Sequence, residues 1–514
     1  MSPNNDDTAD ICLLLEGSYP YVSGGVSEWT HQMILALPEY KFHLACLLPP
    51  QDLPKIKYEL PKNVVGMTHI FLQRLPLGSS HIPKHEKENI LETITKAFPY
   101  LHQGSLSHLK EIINALHPSK EHEIGSRVLI DSEEAWELIV RLYQNTMKSS
   151  SFLNFFWSWR SLISAFYSTL LAKLPKARIY HALSTGYAGL LLARAHIENE
   201  RPCIVTEHGI YTNERKIEIL TADWLDDRQA MNLSIEDIKP DLKDFWIDTF
   251  SSYSRLCYNA SSSIITLFKD NQDFQLTEGA NKEVMRIIPN GIDESIYSAI
   301  PRNMSHPPTV ALIGRVVPIK DIKTFIRAIE RVYREIPNLK ALIIGPTDED
   351  KDYFQECKSL VESLSLDEVI TFTGKVNLID YFGKIDVVVL TSLSESQPLS
   401  ILEAGASGIP SVATDVGSCR ELIEGRADEV PRLHAGGLIR ELSNPTSIAE
   451  GILMLFKRPE FYAKCSEAMR ERVKKYYRKE DQIQAYRTLY QSYLKQDRQQ
   501  ENASAMHEVK SGND

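Results

Sequence analysis

The 514-residue chain is 43% apolar and 24% charged, which excludes a fibrous or wholly disordered protein. Its length suits two large domains or about three of ordinary size. With 57 basic and 68 acidic residues the formal charge is −11, so the surface as a whole does not suit a polyanion, and any phosphate must be met by locally placed cations.

Residues 1–10, MSPNNDDTAD, are polar and acidic and argue against a secretory signal. Continuous apolar runs then predict strands at Ile11–Glu16, Phe42–Leu48 and Val64–Leu72. From about Ile82 to Leu174 the alternation gives way to a long aromatic-rich stretch, read as a helical insertion. Within it, Asp131-Ser132-Glu133-Glu134 predicts a helix start ahead of Trp136, Leu138, Ile139 and Leu142. Phe152–Leu174 is the most apolar segment, but Asn154, Arg160 and several serines interrupt it. It reads as a buried helix in preference to a membrane-surface or partner helix. The first series of strands continues with Ile179–Ala182, Cys203–Glu207, Ile264–Leu267 and Arg286–Ile288.

Asn290–Pro308 holds Gly291 and three prolines without clear periodicity and reads as an interdomain linker. A second series follows at Thr309–Ile313, Ala341–Ile344, Val369–Phe372, Val387–Leu390 and Ser411–Ala413. Phe325, Ile326, Ile329, Val332, Tyr333 and Ile336 form the apolar stripe of a helix that Pro337 ends. Ile483, Tyr486, Leu489, Tyr490 and Tyr493 mark a last helix, and the polar tail from Gln496 is expected to be disordered. The alternation predicts an α/β architecture of two doubly wound, Rossmann-like domains facing a cleft. The expected spans are 1–298, with the insertion at about 82–174, then 299–475, a helix at 476–495 and a tail at 496–514. The seven cysteines are scattered, most inside apolar runs, and read as buried, reduced core residues of a cytosolic protein.

Four motifs stand at strand ends. Glu395-Ser-Gln397-Pro398-Leu399-Ser-Ile-Leu-Glu403 follows the Val387–Leu390 strand, where doubly wound sheets bind ligands. Pro398 suits the first turn of a helix, whose amides would suit a phosphate. Glu395 and Glu403 could grip separate hydroxyls of one elongated ligand, or be a dipole-stabilising and a surface carboxylate. Gly314-Arg315-Val-Val-Pro-Ile-Lys320-Asp321 puts a cation at a helix start, unfavourable beside the dipole unless an anion is bound; taken alone it reads as a solvated loop. Glu16–Glu28 contains Gly24-Gly25, where backbone can approach a ligand, but no G-x-G-x-x-G, so a nicotinamide-dependent oxidoreductase is disfavoured. Thr206-Glu207-His208-Gly209 offers a histidine that could meet a sugar hydroxyl or be structural, and His181 before Ser184-Thr185-Gly186 is a weaker candidate of the same kind. Asp348-Glu-Asp350 and Asp350-Lys-Asp352 fit metal spacings superficially and read better as helix caps. Nothing interleaves basic and aromatic residues as a nucleic-acid surface would.

In this order the motifs resemble those of the retaining glycosyltransferases of family 4, which have the GT-B fold. The likeness rests on Gly314-Arg315 with Lys320, Gly374-Lys375-Val376, Ser394-Glu395-Ser396-Gln397-Pro398 with Glu403-Ala404, Gly408-Ile409-Pro410 and Pro289-Asn290-Gly291-Ile292-Asp293. Glu16–Trp29, His181–Gly189, Thr206–Lys216 and Thr414–Glu421 are similar to the glycosyltransferases of Pel exopolysaccharide synthesis. The resemblance implies that Arg315 and Lys320 hold the donor diphosphate with the Gly24-Gly25 backbone. Glu395 would face the donor sugar, with Gln397, Pro398 and Leu399 beside it, and Glu403 would take the ribose. The backbone at Lys375-Val376 would read the base, and His208 would approach the transferred sugar. The last helix would return to the first domain. It further implies a UDP-sugar donor, UDP-glucose first, with no cofactor and no metal. The acceptor would be a Pel-like polysaccharide and the partner an inner-membrane synthase complex. Other readings are a UDP-sugar epimerase, a phosphorylase, or a non-catalytic subunit that senses UDP-sugar.

Overall fold

The computed structural model describes residues 8–117, 122–147, 151–221, 242–302 and 305–511. Positions 1–7 of the N-terminal reading, 118–121 and 148–150 of the expected insertion, 303–304 of the expected linker and 512–514 of the expected tail lie outside these. The chain divides into two compact units, one of Met1–Thr266, Gln272–Arg286 and Tyr486–Asp514, the other of Leu267–Asn271 and Ile287–Ala485.

Up to Ile287 the order is β1 (Ala9–Glu16), α1 (Gly25–Ala36), β2 (Phe42–Leu48) and β3 (Val64–Phe71). Five helices follow: α2 (Lys84–Leu101), α3 (Leu106–Leu116), α4 (Ser126–Leu129), α5 (Glu133–Thr146) and α6 (Phe152–Leu171). Then come β4 (Ala177–Ala182), α7 (Tyr187–Asn199), β5 (Cys203–Glu207), α8 (Tyr211–Thr221), α9 (Leu242–Ala260), β6 (Ser263–Thr266), α10 (Lys269–Thr277) and β7 (Met285–Ile287). The sheet runs β3-β2-β1-β4-β5-β6-β7. β1 lies parallel to both β2 and β4, so the strand order reverses direction at β1. A strand covered on both faces cannot alternate polar and apolar residues, and Ile11–Leu15 are buried without a break.

The insertion is helical as expected. Ser132 caps α5 by accepting from the Ala135 amide at 3.0 Å. Ile94, Leu109, Ile139, Trp159 and Phe166 from these helices join the core on which the sheet rests. Most of α6 is buried, and no helix among the described residues is long and apolar enough to cross a membrane.

The second unit follows the sequence α11 (Glu294–Ser298), β8 (Thr309–Ile313), α12 (Ile322–Glu335), β9 (Lys340–Ile344), α13 (Lys351–Ser363), β10 (Ile370–Gly374), α14 (Ile379–Phe382) and β11 (Val387–Leu390). It continues with α15 (Leu399–Ala406), β12 (Ser411–Thr414), α16 (Cys419–Glu424), β13 (Gly437–Arg440), α17 (Pro445–Lys457) and α18 (Pro459–Tyr476). The last helix, α19 (Lys479–Ser511), belongs to the second unit up to Ala485 and to the first from Tyr486. The second unit's sheet, β10-β9-β8-β11-β12-β13, is parallel throughout and reverses between β8 and β11. Asp350 caps α13 by accepting from the Tyr353 amide, as the capping reading of that acidic run expects. All seven cysteines are buried and free.

Two expectations need correction, and one strand was missed. The segment from Asn290 to Arg302 is not a free linker. The Asn290 amide donates to Gln397 Oε1 at 2.7 Å, Ile292 exchanges backbone hydrogen bonds with Tyr477 and Lys479, and Tyr297 packs on Phe382. β13 was not anticipated, because two apolar residues between glycines and an arginine carry little strand signal. The last helix does not end at 495. It continues to Ser511 through the span read as a disordered tail. Asp497 is buried and paired with Arg178 and Arg201. Beyond it the polar residues include many good helix formers.

Candidate functional site

In a doubly wound sheet, loops leaving the two strands at the reversal splay apart and leave a crevice at their carboxyl ends. In the second unit those strands are β8 and β11. The loop after β8 carries Gly314 and Arg315 and then forms a 3-10 turn, Pro318–Lys320. Lys320 thus precedes α12 and is not part of it; Asp321 is the cap, accepting from the Thr324 amide. The loop after β11 is tied to this turn. Thr391 Oγ1 donates to the carbonyls of Lys320 and Asp321 at 2.9 and 3.0 Å, and the Leu393 amide donates to Ile319.

That tie brings Lys320 against Glu395, in a half-buried ion pair between residues 75 positions apart. Ser392 Oγ donates to the same Glu395 oxygen at 2.6 Å. The stem of Lys320 lies over Gly314, 3.5 Å from where a side chain there would begin. The anion that a cation before a helix calls for is therefore supplied, at least in part, by Glu395. α15 opens just beyond, with Pro398 at its cap and no side chain capping its amides. Ser396 Oγ, Gln397 Nε2 and Ser418 Oγ are buried here without hydrogen-bond partners among the described residues. Buried polar atoms left unpaired are costly, so a polar ligand is the natural completion of this corner. Gly417 closes it: φ is +52°, and a Cβ would stand 2.2 Å from the Glu395 carbonyl oxygen.

The other expected residues have partners of their own. Arg315 is exposed and paired with Glu349. Glu403 accepts from Tyr297 Oη at 2.9 Å. Burial raises its carboxyl above the usual range, opposed by the Tyr297 bond. Lys375 is exposed and Val376 half-buried, just beyond Gly374 at the end of β10.

The reversal in the first unit lies between β1 and β4. Glu16, the last residue of β1, accepts from Tyr211 Oη at 2.7 Å, Ser184 Oγ at 3.2 Å and the Ala188 amide at the start of α7 at 3.1 Å. Gly24 caps α1 with no side-chain bond, and a Cβ on Gly24 or Gly25 would meet nothing within 4 Å. At the end of β5, Glu207 is buried and accepts from Tyr258 Oη, Gln275 Nε2, Thr185 Oγ1 and the Tyr211 amide, with burial raising its pKa. Four donors thereby fix the backbone around His208.

The two histidines part company. His181 is wholly buried between Tyr490 Oη at 2.7 Å and Thr206 Oγ1 at 2.8 Å, so both nitrogens are satisfied and its role is structural. Tyr486 joins this network through Thr206, and Tyr493 holds Ser263, so one face of α19 is anchored by tyrosine hydroxyls. His208 stacks edge-on against Trp29, with centroids 4.7 Å apart, and neither ring nitrogen has a partner among the described residues. Burial lowers its pKa to about 4, so the imidazole is neutral at pH 7 and can donate from one nitrogen and accept at the other.

Sequence reasoning missed Ser392 and Tyr297, which hold the two glutamates, and the roles of Glu16 and Glu207. The latter pair had a signal: a carboxylate ending an otherwise apolar strand.

Two doubly wound parallel sheets, each with a polar corner at its reversal, define a protein of the GT-B glycosyltransferase class of fold. The chain belongs to the family described as "Domain of unknown function (DUF3492)", whose model matches residues 9–283, and residues 295–472 match "Glycosyl transferases group 1". It is 27% identical over 229 residues to the N-acetyl-alpha-D-glucosaminyl L-malate synthase of Bacillus anthracis, covering 42% of this chain and 56% of that protein. It is 32% identical over 157 residues to the D-inositol 3-phosphate glycosyltransferase of Arthrobacter sp. (strain FB24), covering 27% and 36%. The matches thus span about a third to just over half of those relatives. Among solved structures it is similar to Anabaena HepE in complex with UDP (TM-score 0.57, 14% identity, 94% of this chain and 100% of that one). It is likewise similar to the sucrose-phosphate synthase of Thermosynechococcus elongatus (TM-score 0.57, 16% identity, 94% and 99%).

Proposed function

We propose that this protein is a retaining, metal-independent hexosyltransferase of family 4 that uses a UDP-sugar, UDP-glucose first, to extend a polysaccharide. The observation that carries the reading is the second unit's corner. A lysine, an uncapped helix start and three unpartnered buried polar atoms stand at the sheet's reversal. A diphosphate suits such a corner through charge and amide donors. The structural neighbour crystallised with UDP-glucose, HepE, adds support for the donor class.

In this mechanism the bond between sugar C1 and the phosphate oxygen breaks, and its electron pair leaves with UDP. Lys320, the α15 amides and Arg315 stabilise the charge growing on that phosphate. The acceptor oxygen attacks C1 from the same face, and its proton passes to the departing phosphate, so configuration is retained. Glu395 binds sugar hydroxyls and Glu403 the ribose. Arg315 leaves Glu349 at little cost, because exposed ion pairs contribute at most about 1 kcal/mol. In the first unit, the open Gly24-Gly25 amides and the neutral His208 suit a ligand rich in oxygen. The polysaccharide acceptor is read as Pel-like, by resemblance to the soluble glycosyltransferase of Pel synthesis, with delivery to an inner-membrane synthase complex.

Calorimetric titration with a panel of UDP-sugars, then product analysis with the tightest binder, tests the reading. Transfer to a saccharide acceptor is expected. A 2-epimerised UDP-sugar, a sugar 1-phosphate, or binding without turnover would each replace it with one of the alternatives. Arg315→Ala should lower turnover more than donor affinity, and unchanged turnover would remove Arg315 from the leaving-group role. Gly24→Ala should keep the wild-type circular dichroism spectrum, because its Cβ enters open space from extended backbone, yet lose about tenfold or more in kcat/KM.

A further inference from the structure

An open cavity of about 830 Å³ that the donor chemistry does not use lies beside the insertion helices. Its walls are α6, the segment Gln73–Leu75 that follows β3, the turn before α5 and the start of α9. This volume lies within the range of about 300–1,000 Å³ typical of small-molecule sites. We propose that it binds the acceptor saccharide. The inference rests on the glycosyl-transfer reading and deepens it.

The lining decides the ligand class. Asn154, Trp157, Ser158, Ser161 and Ser164 share one face of α6 at helical spacing, and all five border the cavity. Trp157 is 60% exposed, its ring edge-on to Phe156 with centroids 5.2 Å apart, and it offers aromatic surface at the cavity. Trp246 lines the cavity as well. Aromatic faces with amide and hydroxyl groups between them suit a sugar, which is apolar on its C–H faces and polar at its rim. The cavity's cations are engaged. Arg160 donates to Asp131 at 3.2 Å, and Arg74 donates to the carbonyls of Pro50 and Gln51 at 2.8 and 2.9 Å. A phosphate would have to draw Arg160 from Asp131 and Arg74 from its two carbonyls, whereas a neutral polyhydroxyl chain leaves these bonds in place.

Position agrees with this role. β1 to β5 run parallel, so Gln73 lies beyond the same edge of the sheet as Glu16 and His208. β3 is the outermost strand, four spacings of about 4.8 Å from β5. A short oligosaccharide spans such a distance, so the cavity suits the part of an acceptor remote from the end being extended. Sequence showed the polar interruptions of α6 but not the cavity, because Gln73 and Trp246 reach it from distant segments.

All six tryptophans precede residue 250, so intrinsic fluorescence reports the first unit alone. The test titrates the full chain with maltohexaose, cellohexaose and chitohexaose while following tryptophan emission, and separately titrates UDP by calorimetry. At least one saccharide should give a saturable change, and Trp157→Ala should weaken it about tenfold or more with UDP affinity unchanged. Asn154→Ala should weaken it in the same sense. No saccharide response, or equal affinity in Trp157→Ala, overturns the proposal; the second result would leave the exposed ring to a protein partner. Failure of the wild-type chain to bind UDP would instead overturn the donor reading.

Discussion

Lys320→Met should lower kcat by about 10²–10³ and kcat/KM by a similar factor, measured as UDP released or sugar transferred at saturating donor. The argument is electrostatic. Lys320 is held before α12 by two Thr391 bonds to the backbone and by Glu395, so its ammonium does not have to be ordered during reaction. A preorganised cation stabilises charge that grows on a leaving phosphate more than charge already spread over the bound donor. A variant that only raises KM would show that Lys320 binds ground and transition states equally, and the leaving-group assignment would fail. Loss of Glu395's partner must be separated from loss of the cation. Glu395→Gln keeps the side chain's shape and removes its charge, so the cycle of both single variants and the double variant gives their coupling. A fall in kcat fully recovered in the double variant would mean that Lys320 matters only for neutralising Glu395.

The fold was legible where burial leaves no freedom. Phe42–Leu48, Cys203–Glu207, Thr309–Ile313 and Val387–Leu390 match their apolar runs end to end, because a parallel strand covered on both faces admits little else. The α12 stripe was equally plain, with Phe325, Ile326, Ile329 and Val332 all buried. What escaped was set by tertiary contact. Nothing local to Glu395 says that Lys320 will pair with it, and nothing local to Gln496 says that Arg178 and Arg201 will hold Asp497. The linker reading failed for the same reason. Gly291 and the prolines look like punctuation, yet the Gln397 side chain accepts the Asn290 amide. His181 and His208 read alike by sequence as histidines near the carboxyl ends of two strands, His181 only the weaker candidate. Tertiary contact with Tyr490 and Thr206 satisfies His181 and leaves His208 without such partners among the described residues.

The largest expected loss of stability comes from a residue with no part in chemistry. Arg472 and Glu429 form an ion pair whose side chains are both 0% exposed. Arg472 Nε donates to Glu429 Oε1 at 2.7 Å, and its other nitrogens donate to Glu429 Oε2 and to the carbonyls of Ile423 and His434. One guanidinium thus closes α16, the segment after it and α18 on each other. Arg472→Met fills similar space but strands a buried carboxylate and unpaired carbonyls, and should cost about 3–5 kcal/mol in urea unfolding at pH 7. Far-UV circular dichroism is the appropriate probe, because no tryptophan lies in the second unit. Arg472→Met with Glu429→Met removes the stranded charge and should recover part of the loss; the orphaned carbonyls keep recovery incomplete. The pH dependence has a definite sign. Burial alone would raise the Glu429 carboxyl, but its bonds to Arg472 and to the Leu433 amide bring it below the usual range. The pair's contribution is therefore complete above the ordinary carboxylate pKa and is lost as pH falls through the lower folded-state value. In Arg472→Met the unpaired carboxylate gains from protonation, so the deficit against wild type should shrink on going from pH 7 to pH 4. A deficit that stays constant over that interval would show that Arg472 acts through packing and its carbonyl bonds, and not through the buried charge.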